Sequence, residues 1–368
     1  MKKTLTITTV RAINYGAVLQ AYALHKKILM LGAENELIYL KNEKPNYFQS
    51  LRKYNFRIKC IKLLENYFRI YRYFSCKSCF NKFVKFSEEN FKHTKEIMSL
   101  NDIELNKYDA IITGSDQMFG FGVDKNINMA RFLCFDDKNK IKRYSFAASF
   151  SSYNLDKKQN EFMKKQLKKF EKISVREEQG KSFLKNALSI ESQVNIDPVF
   201  LLEQEEWEKI ITNKRIIKEK YILCYFLISS PILEQVIKKL KEKYNDCKVI
   251  SVQLTSLKRI KADKYIFDAG PKEFLNLIKN AEAVVTTSFH GTAFSLIFKK
   301  DFYSVLKKGY RTERFESLLG KVDLKERLLI EDVKIENILP INYDIVFKKL
   351  KEEKRKSIEY IKEILNNK

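Results

Sequence analysis

Short apolar runs and longer amphipathic stretches alternate along this chain. Leu5–Thr9 reads as a first strand, followed by a turn over Val10–Tyr15 and a helix from Gly16 to Met30. Ala17, Leu19, Ala21, Ala23 and Leu24 make that helix small and apolar on more than one face, the pattern of a buried helix, and Gly32 supplies its stop. Leu37–Leu40, Asp109–Thr113, Ile141–Ala147, Ile173–Arg176 and Val194–Ile196 read as further strands. Asp197-Pro198 ends the last of these, because proline has no amide to give a ladder. A second series opens at Tyr221–Ile228. It continues through Lys248–Gln253, Ala283–Thr287 and Phe302–Val305, with helices starting near Pro231 and Pro271 and a long charged helix over Asp344–Leu365. Strands alternating with helices predict parallel sheets covered on both faces. Two such series predict two α/β domains, over residues 1–205 and 215–335, with a terminal helix over 344–366 that packs back across them.

Residues 45–93 break the pattern. They are crowded with Tyr, Phe, Lys and Arg, contain no Gly, and repeat apolar positions at helical spacing, as in Phe56, Cys60, Leu63, Leu64, Tyr67 and Phe68. Two or three amphipathic helices are expected, either packed on the sheet or offering an aromatic face to a membrane or a glycan.

Composition narrows the class. In 368 residues, 45% hydrophobic, no apolar run approaches the ~20 residues a membrane span needs. The N-terminal MKKTLTITTV lacks a sustained apolar core and a cleavage site, so it reads as a strand rather than a signal peptide, and a cytoplasmic location is expected. The net charge of +24 is scattered, and no nucleic-acid motif accompanies it. No nucleic-acid partner is expected; the charge suits work near anionic head groups or diphosphates, with weak peripheral association at the inner face of the membrane. Six cysteines do not suggest a disulfide scaffold. Cys76 and Cys79 form an isolated CxxC with only His93 nearby, and no metal site is expected.

The chemistry concentrates in Ala283–Phe298, a strand, a polar turn and a helix. His290 and Gly291 fall where an open α/β sheet places its ligands, beyond the carboxyl end of a strand, and the first amides of the helix suit an anion. His290 is one of three histidines. It either caps the turn or moves a proton near neutral pH. Other polar residues also stand at strand ends, each with a plainer role beside the functional one. Asn14 caps the first helix or touches ligand; Gly16 and Gly114 serve tight turns; Asp116 is a base or the N-cap of a helix after GSDQ. Arg176 grips an anion or pairs with Glu177 or Glu178 at the surface, and Asp197 satisfies amides in its own turn. Tyr22 and Phe289 read as core.

Five motifs occur in order: NYGAVLQAYAL (14–24), DAIITGSDQMF (109–119), ISVREEQG (173–180), DPVFLL (197–202) and VVTTSFHGTAFSLIF (284–298). Together they resemble the polysaccharide pyruvyl transferase family over most of residues 4–320. The resemblance implies a GT-B-like α/β fold of two Rossmann-like domains facing a cleft, here with a helical aromatic-rich insert in the first. It implies phosphoenolpyruvate as donor and a sugar acceptor, commonly in a lipid-linked intermediate of a capsule, exopolysaccharide or other surface glycan. The product would be a pyruvate ketal, with phosphate released and no metal or organic cofactor needed. On that pattern His290 is the acid and Asp116 the base; Arg176, Ser288, Gly291, Thr292, Arg311 and Arg314 would hold the donor. Asn14, Tyr15, Gly16, Gly114, Ser115 and Gln117 would line the acceptor side. The sequence departs from the family at one position: some members carry an arginine two residues before the histidine, where this chain has Ser288. The same architecture also suits a glycosyltransferase using a nucleotide sugar, with Glu273 and Glu282 as acidic candidates for the ribose. A non-catalytic glycan- or membrane-binding protein is the third reading; it would tolerate loss of His290.

Overall fold

The structure, a computed structural model, describes residues 1–10, 12–41, 77–122, 125–136, 141–212, 214–245, 247–254, 260–331 and 340–367. The first half runs β1 (Lys3–Ile7), α1 (Tyr15–Met30), β2 (Glu34–Leu40), α2 (Lys77–Asn90), β3 (His93–Ile97), β4 (Ala110–Thr113), α3 (Lys125–Arg131), β5 (Lys142–Ser145), α4 (Lys157–Leu167), β6 (Ser174–Val175), α5 (Glu178–Leu188) and β7 (Gln193–Val194). Its five main strands are all parallel, in the order β3-β2-β1-β4-β5. Single bridges from Tyr144 to Lys172 and from Ala148 to Val175 carry the β6–β7 pair onward from β5.

The second half runs α6 (Gln204–Glu208), β8 (Tyr221–Tyr225), α7 (Leu233–Lys243), β9 (Lys248–Val252), β10 (Lys264–Ile266), α8 (Pro271–Lys279), β11 (Ala283–Thr286), α9 (Phe289–Ile297), β12 (Asp301–Leu306), α10 (Glu313–Lys321), β13 (Leu328–Ile330) and α11 (Tyr343–Asn366). These six strands are also parallel, in the order β10-β9-β8-β11-β12-β13, the doubly wound Rossmann order.

The strands are apolar because both faces are covered: every residue of β4, β8 and β11 is buried. Helix α1 is buried nearly all round, as its small residues require, and its apolar contacts cross to the second half. Tyr15 lies flat on Phe274 of α8, with ring centroids 4.1 Å apart, and its hydroxyl donates to the Ala269 carbonyl at 2.8 Å. Tyr22 meets Trp207, which in turn meets Phe294 edge-on. One apolar core therefore spans both sheets.

Helix α11 starts against the second half, where Tyr343 donates to the Lys300 carbonyl. It ends against the first, where the Tyr360 hydroxyl donates to the Ser145 carbonyl at 3.0 Å and Ile361, Ile364 and Leu365 pack with Ile112 and Phe146. No helix among the described residues is long and apolar enough to cross a membrane.

Several local expectations change. His93 opens β3 and pairs with Leu37 of β2, so the first sheet reclaims the end of the region read as a helical insert. Within that region, α2 packs Cys79, Phe83 and Phe86 into the core, and the Cys79 thiol donates to the Ala269 carbonyl at 3.1 Å. Phe56, Cys60, Leu63, Leu64, Tyr67, Phe68 and Cys76 lie outside the described residues. No helix starts at GSDQ. Asp116 bridges to Ala148 with φ of +65°, a left-handed bend rather than a helix cap.

Candidate functional site

In an open parallel sheet, ligands collect where the strand order reverses, beyond the carboxyl ends. The reversals lie between β1 and β4 in one sheet and between β8 and β11 in the other. Both open onto one cleft of about 410 Å³. Thr9 and Asn14 reach it from beyond β1, Asp116 and Gln117 from beyond β4, and Leu227 from beyond β8. Thr287, Ser288, Phe289 and His290 reach it from beyond β11, and Tyr310 and Arg314 from beyond β12. A second hollow, of about 510 Å³, lies between α7 and the connection from β9 to β10, among Lys238, Lys241, Val249 and Asp263, away from both reversals.

Two helix N-termini meet in the cleft. Asn14 caps α1, accepting from the Ala17 amide at 3.2 Å, and Ser288 caps α9, accepting from the Gly291 amide at 3.5 Å. The Thr292 amide is already bonded to the Ser288 carbonyl. The amides left over at the start of α9 are those of Phe289 and His290, at the positive end of the helix dipole. Gly16, in the first turn of α1, lies directly against the His290 ring: a Cβ there would stand 2.0 Å from Nδ1.

On the other side of the ring, Nε2 of His290 stands 3.5 Å from Oδ2 of Asp197. That carboxylate is buried. Oδ1 accepts from the Val199 amide at 3.0 Å, while Oδ2 takes Nη1 of Arg176 at 2.5 Å and the Ser115 hydroxyl at 3.4 Å. Burial alone would raise its pKa. The charges of His290 and Arg176 outweigh that and hold it well below the usual carboxylate range. Arg176 also donates Nε to Glu177 at 3.1 Å and lies over the Phe289 ring at 4.6 Å.

The cleft brings together half of the expected site residues and leaves the other half outside it. His290, Asp116, Ser288, Asn14, Gln117 and Arg314 line it, and Gly16 abuts His290. Nε of Arg314 is buried without a hydrogen-bond partner. Burial, then the charge of Arg176, push its pKa down against Asp116 and Glu177. Arg176 does not line the cleft: its Nε and Nη1 are held by Glu177 and Asp197 in the interior, and its Nη2 is buried there without a hydrogen-bond partner. Arg311 is exposed in the loop before α10 and does not line the cleft either.

Gly291 serves packing, facing the Thr286 side chain where a Cβ would stand 2.3 Å from Oγ1. Thr292 is buried, with its hydroxyl on Ser304 at 2.6 Å. Tyr15 is core, Gly114 packs against Leu24, and the Ser115 hydroxyl belongs to Asp197 rather than to a ligand. Glu273 caps α8 and pairs with Lys82 at 3.0 Å, and Glu282 precedes β11 at the amino end of its sheet, so neither stands at the cleft. Asp197 was the residue sequence reasoning underrated. The signal was the DP pair at a strand end, but its partner is 93 positions away in His290.

Two Rossmann-type sheets with a shared cleft at their switch points define the GT-B class of enzyme architecture. The UDP-GlcNAc 2-epimerase of Neisseria meningitidis bound to UDP-GlcNAc has this fold, with TM-score 0.50 and 12% identity over 100% of this chain and 94% of that one. So does a putative UDP-N-acetylglucosamine 2-epimerase from Listeria monocytogenes, with TM-score 0.50 and 11% identity over 98% of this chain and 91% of that one. At such identities the likeness is one of fold alone. No match was found among curated proteins. The sequence profile described as "Polysaccharide pyruvyl transferase" matches residues 14–306, and the chain belongs to that family of transferases.

Proposed function

We propose that the protein moves the enolpyruvyl unit of phosphoenolpyruvate onto a sugar of a lipid-linked surface-glycan intermediate, closing a pyruvate ketal and releasing phosphate. The observation that carries this reading is the convergence, in one cleft, of two helix N-termini, His290, Asp116 and the unpaired guanidinium of Arg314. A trianionic donor needs cations and free amides to replace its water, and the amides of Phe289 and His290 with Arg314 supply them. Arg314 then takes over the charge that some relatives carry two residues before the histidine, where this chain has Ser288.

In this reading His290 delivers a proton to the methylene carbon and an acceptor hydroxyl adds to the neighbouring carbon, losing its proton to Asp116. A second hydroxyl then displaces phosphate, which leaves with that hydroxyl's proton. Each positioned acid or base contributes about 10²- to 10⁴-fold. Asn14 and Gln117 face the donor side from the first half and would touch the acceptor. The same reading divides the chain into an acceptor-side domain to about residue 205 and a donor-side domain from about residue 215. It also places the protein at the inner face of the membrane, drawn by its basic charge.

Phosphate release from phosphoenolpyruvate, measured with candidate lipid-linked glycans, tests this. His290→Ala should lower kcat by more than about 100-fold with little change in the KM for phosphoenolpyruvate, because a proton donor acts mainly in the transition state. Unchanged turnover in that variant, or no phosphate release with any glycan acceptor, counts against the reading.

A further inference from the structure

Asp197 takes no part in the reaction as written above, yet it is the carboxylate that touches His290. Nε2 of the ring is buried, makes no hydrogen bond of normal length among the described residues, and stands 3.5 Å from Oδ2 of Asp197, whereas Nδ1 lies against Gly16, where α1 begins. The carboxylate is fixed on every side, by Arg176, Ser115 and the Val199 amide.

We propose that Asp197, clamped by Arg176, is a positioning residue that anchors Nε2 of His290 and so makes Nδ1 the nitrogen that exchanges a proton with the substrate. The inference rests on the reading of His290 as the acid. An imidazolium carries a proton on each nitrogen, and the anchored one stays with Asp197. The proton that leaves is therefore the one on Nδ1. The π electron pair of the donor's C=C bond takes it up in a new C–H bond at the methylene carbon. The neighbouring carbon accepts the acceptor oxygen, whose own proton passes to Asp116. The ring is left neutral, protonated at Nε2, and recovers its Nδ1 proton from solvent.

Gly16 fits this arrangement. The Nδ1 edge of the ring packs against the start of α1 so closely that a Cβ at position 16 would stand 2.0 Å from Nδ1, so any side chain there would displace the ring from Asp197. The other charged groups around the ring are Arg176 and Glu177 behind Asp197, Asp116 from the first half across the cleft, and Arg314 from the second half beside it.

The chain has only three histidines, His25, His93 and His290, so ring nitrogens in the full-length, ¹⁵N-histidine-labelled protein can be assigned with His290→Gln as reference. Long-range ¹H–¹⁵N spectra of the wild type, at a pH where the His290 ring is neutral, should show Nε2 protonated and Nδ1 bare. A ring protonated at Nδ1 overturns the proposal without any need of a variant. Asp197→Asn should mix the two tautomers and lower kcat by at least about 30-fold, with the KM for phosphoenolpyruvate held within about threefold. An Asp197→Asn enzyme with the wild-type tautomer and wild-type kcat also overturns it. The two readings fail separately: full turnover by His290→Ala removes the functional reading, while an Nδ1-protonated ring in an enzyme that needs His290 removes only the anchor.

Discussion

Arg314 stands in the first turn of α10 with its Nε buried and unpaired at the cleft, and Arg311, three residues earlier, is exposed. A buried donor completes its bonds on an anion. Arg314→Ala is expected to raise the KM for phosphoenolpyruvate by about 10- to 100-fold, the worth of a charged hydrogen bond, and Arg311→Ala to change it less than about twofold. Steady-state kinetics of the two variants decide the matter; equal effects would place the donor elsewhere.

His25 makes a different prediction. It is buried, its Nδ1 faces the Asn35 side-chain amide at 3.0 Å, and burial, with His93 and Lys26 adding to it, lowers its pKa to about 4. The unfolded chain takes up this proton near pH 6.5 and the folded one only near 4, so stability is full above about 6.5 and falls as pH drops towards 4, by up to about 3 kcal/mol. Urea midpoints at pH 7 and pH 4.5 measure the loss, and His25→Gln should flatten it. At this scale the sequence exposed His290 and Asn14, because a polar residue at a strand end has few reasons to be there. It hid the fate of Arg176, because whether a guanidinium meets a ligand or a carboxylate depends on a chain segment 21 positions on.

Among the elements, the strands that were legible are the central, apolar ones, such as Ala110–Thr113 and Ala283–Thr286. Those that were missed are β3, β10 and β13, which lie at sheet edges with sequences such as HTKEI and KYI. An edge strand is covered on fewer sides and needs less apolar character, so the patterns of β3 and β10 fade into the loops around them, while β13, Leu328–Ile330, is apolar but only three residues long. Helix α1 was legible as buried, but its partner was not. The Tyr15–Phe274 stack joins residues far apart in sequence, and Tyr15 consequently read as an acceptor ligand rather than as packing. Tyr15→Phe should cost about 1 kcal/mol for the bond to Ala269, and Tyr15→Ala about 3 to 5 kcal/mol for the emptied site. If denaturant titration finds Tyr15→Ala as stable as wild type, α1 is not held by this contact.

For the molecule as a whole, the net charge of +24 implies attraction to anionic bilayers worth about 1 kcal/mol per basic residue near the surface, screened by salt. Flotation with phosphatidylglycerol vesicles should show binding at low salt that is lost at high salt. Binding indifferent to salt, or none, would leave the charge without a membrane role. Internal organisation has a separate consequence. The apolar core passes unbroken from Tyr15 and Tyr22 on one side to Trp207, Phe274 and Phe294 on the other. Swinging the two halves fully apart would wet these rings, so this packing opposes a wide opening. His290 and Asp197 come from opposite halves of the chain, so it is the docking of one half on the other that sets ring and carboxylate 3.5 Å apart.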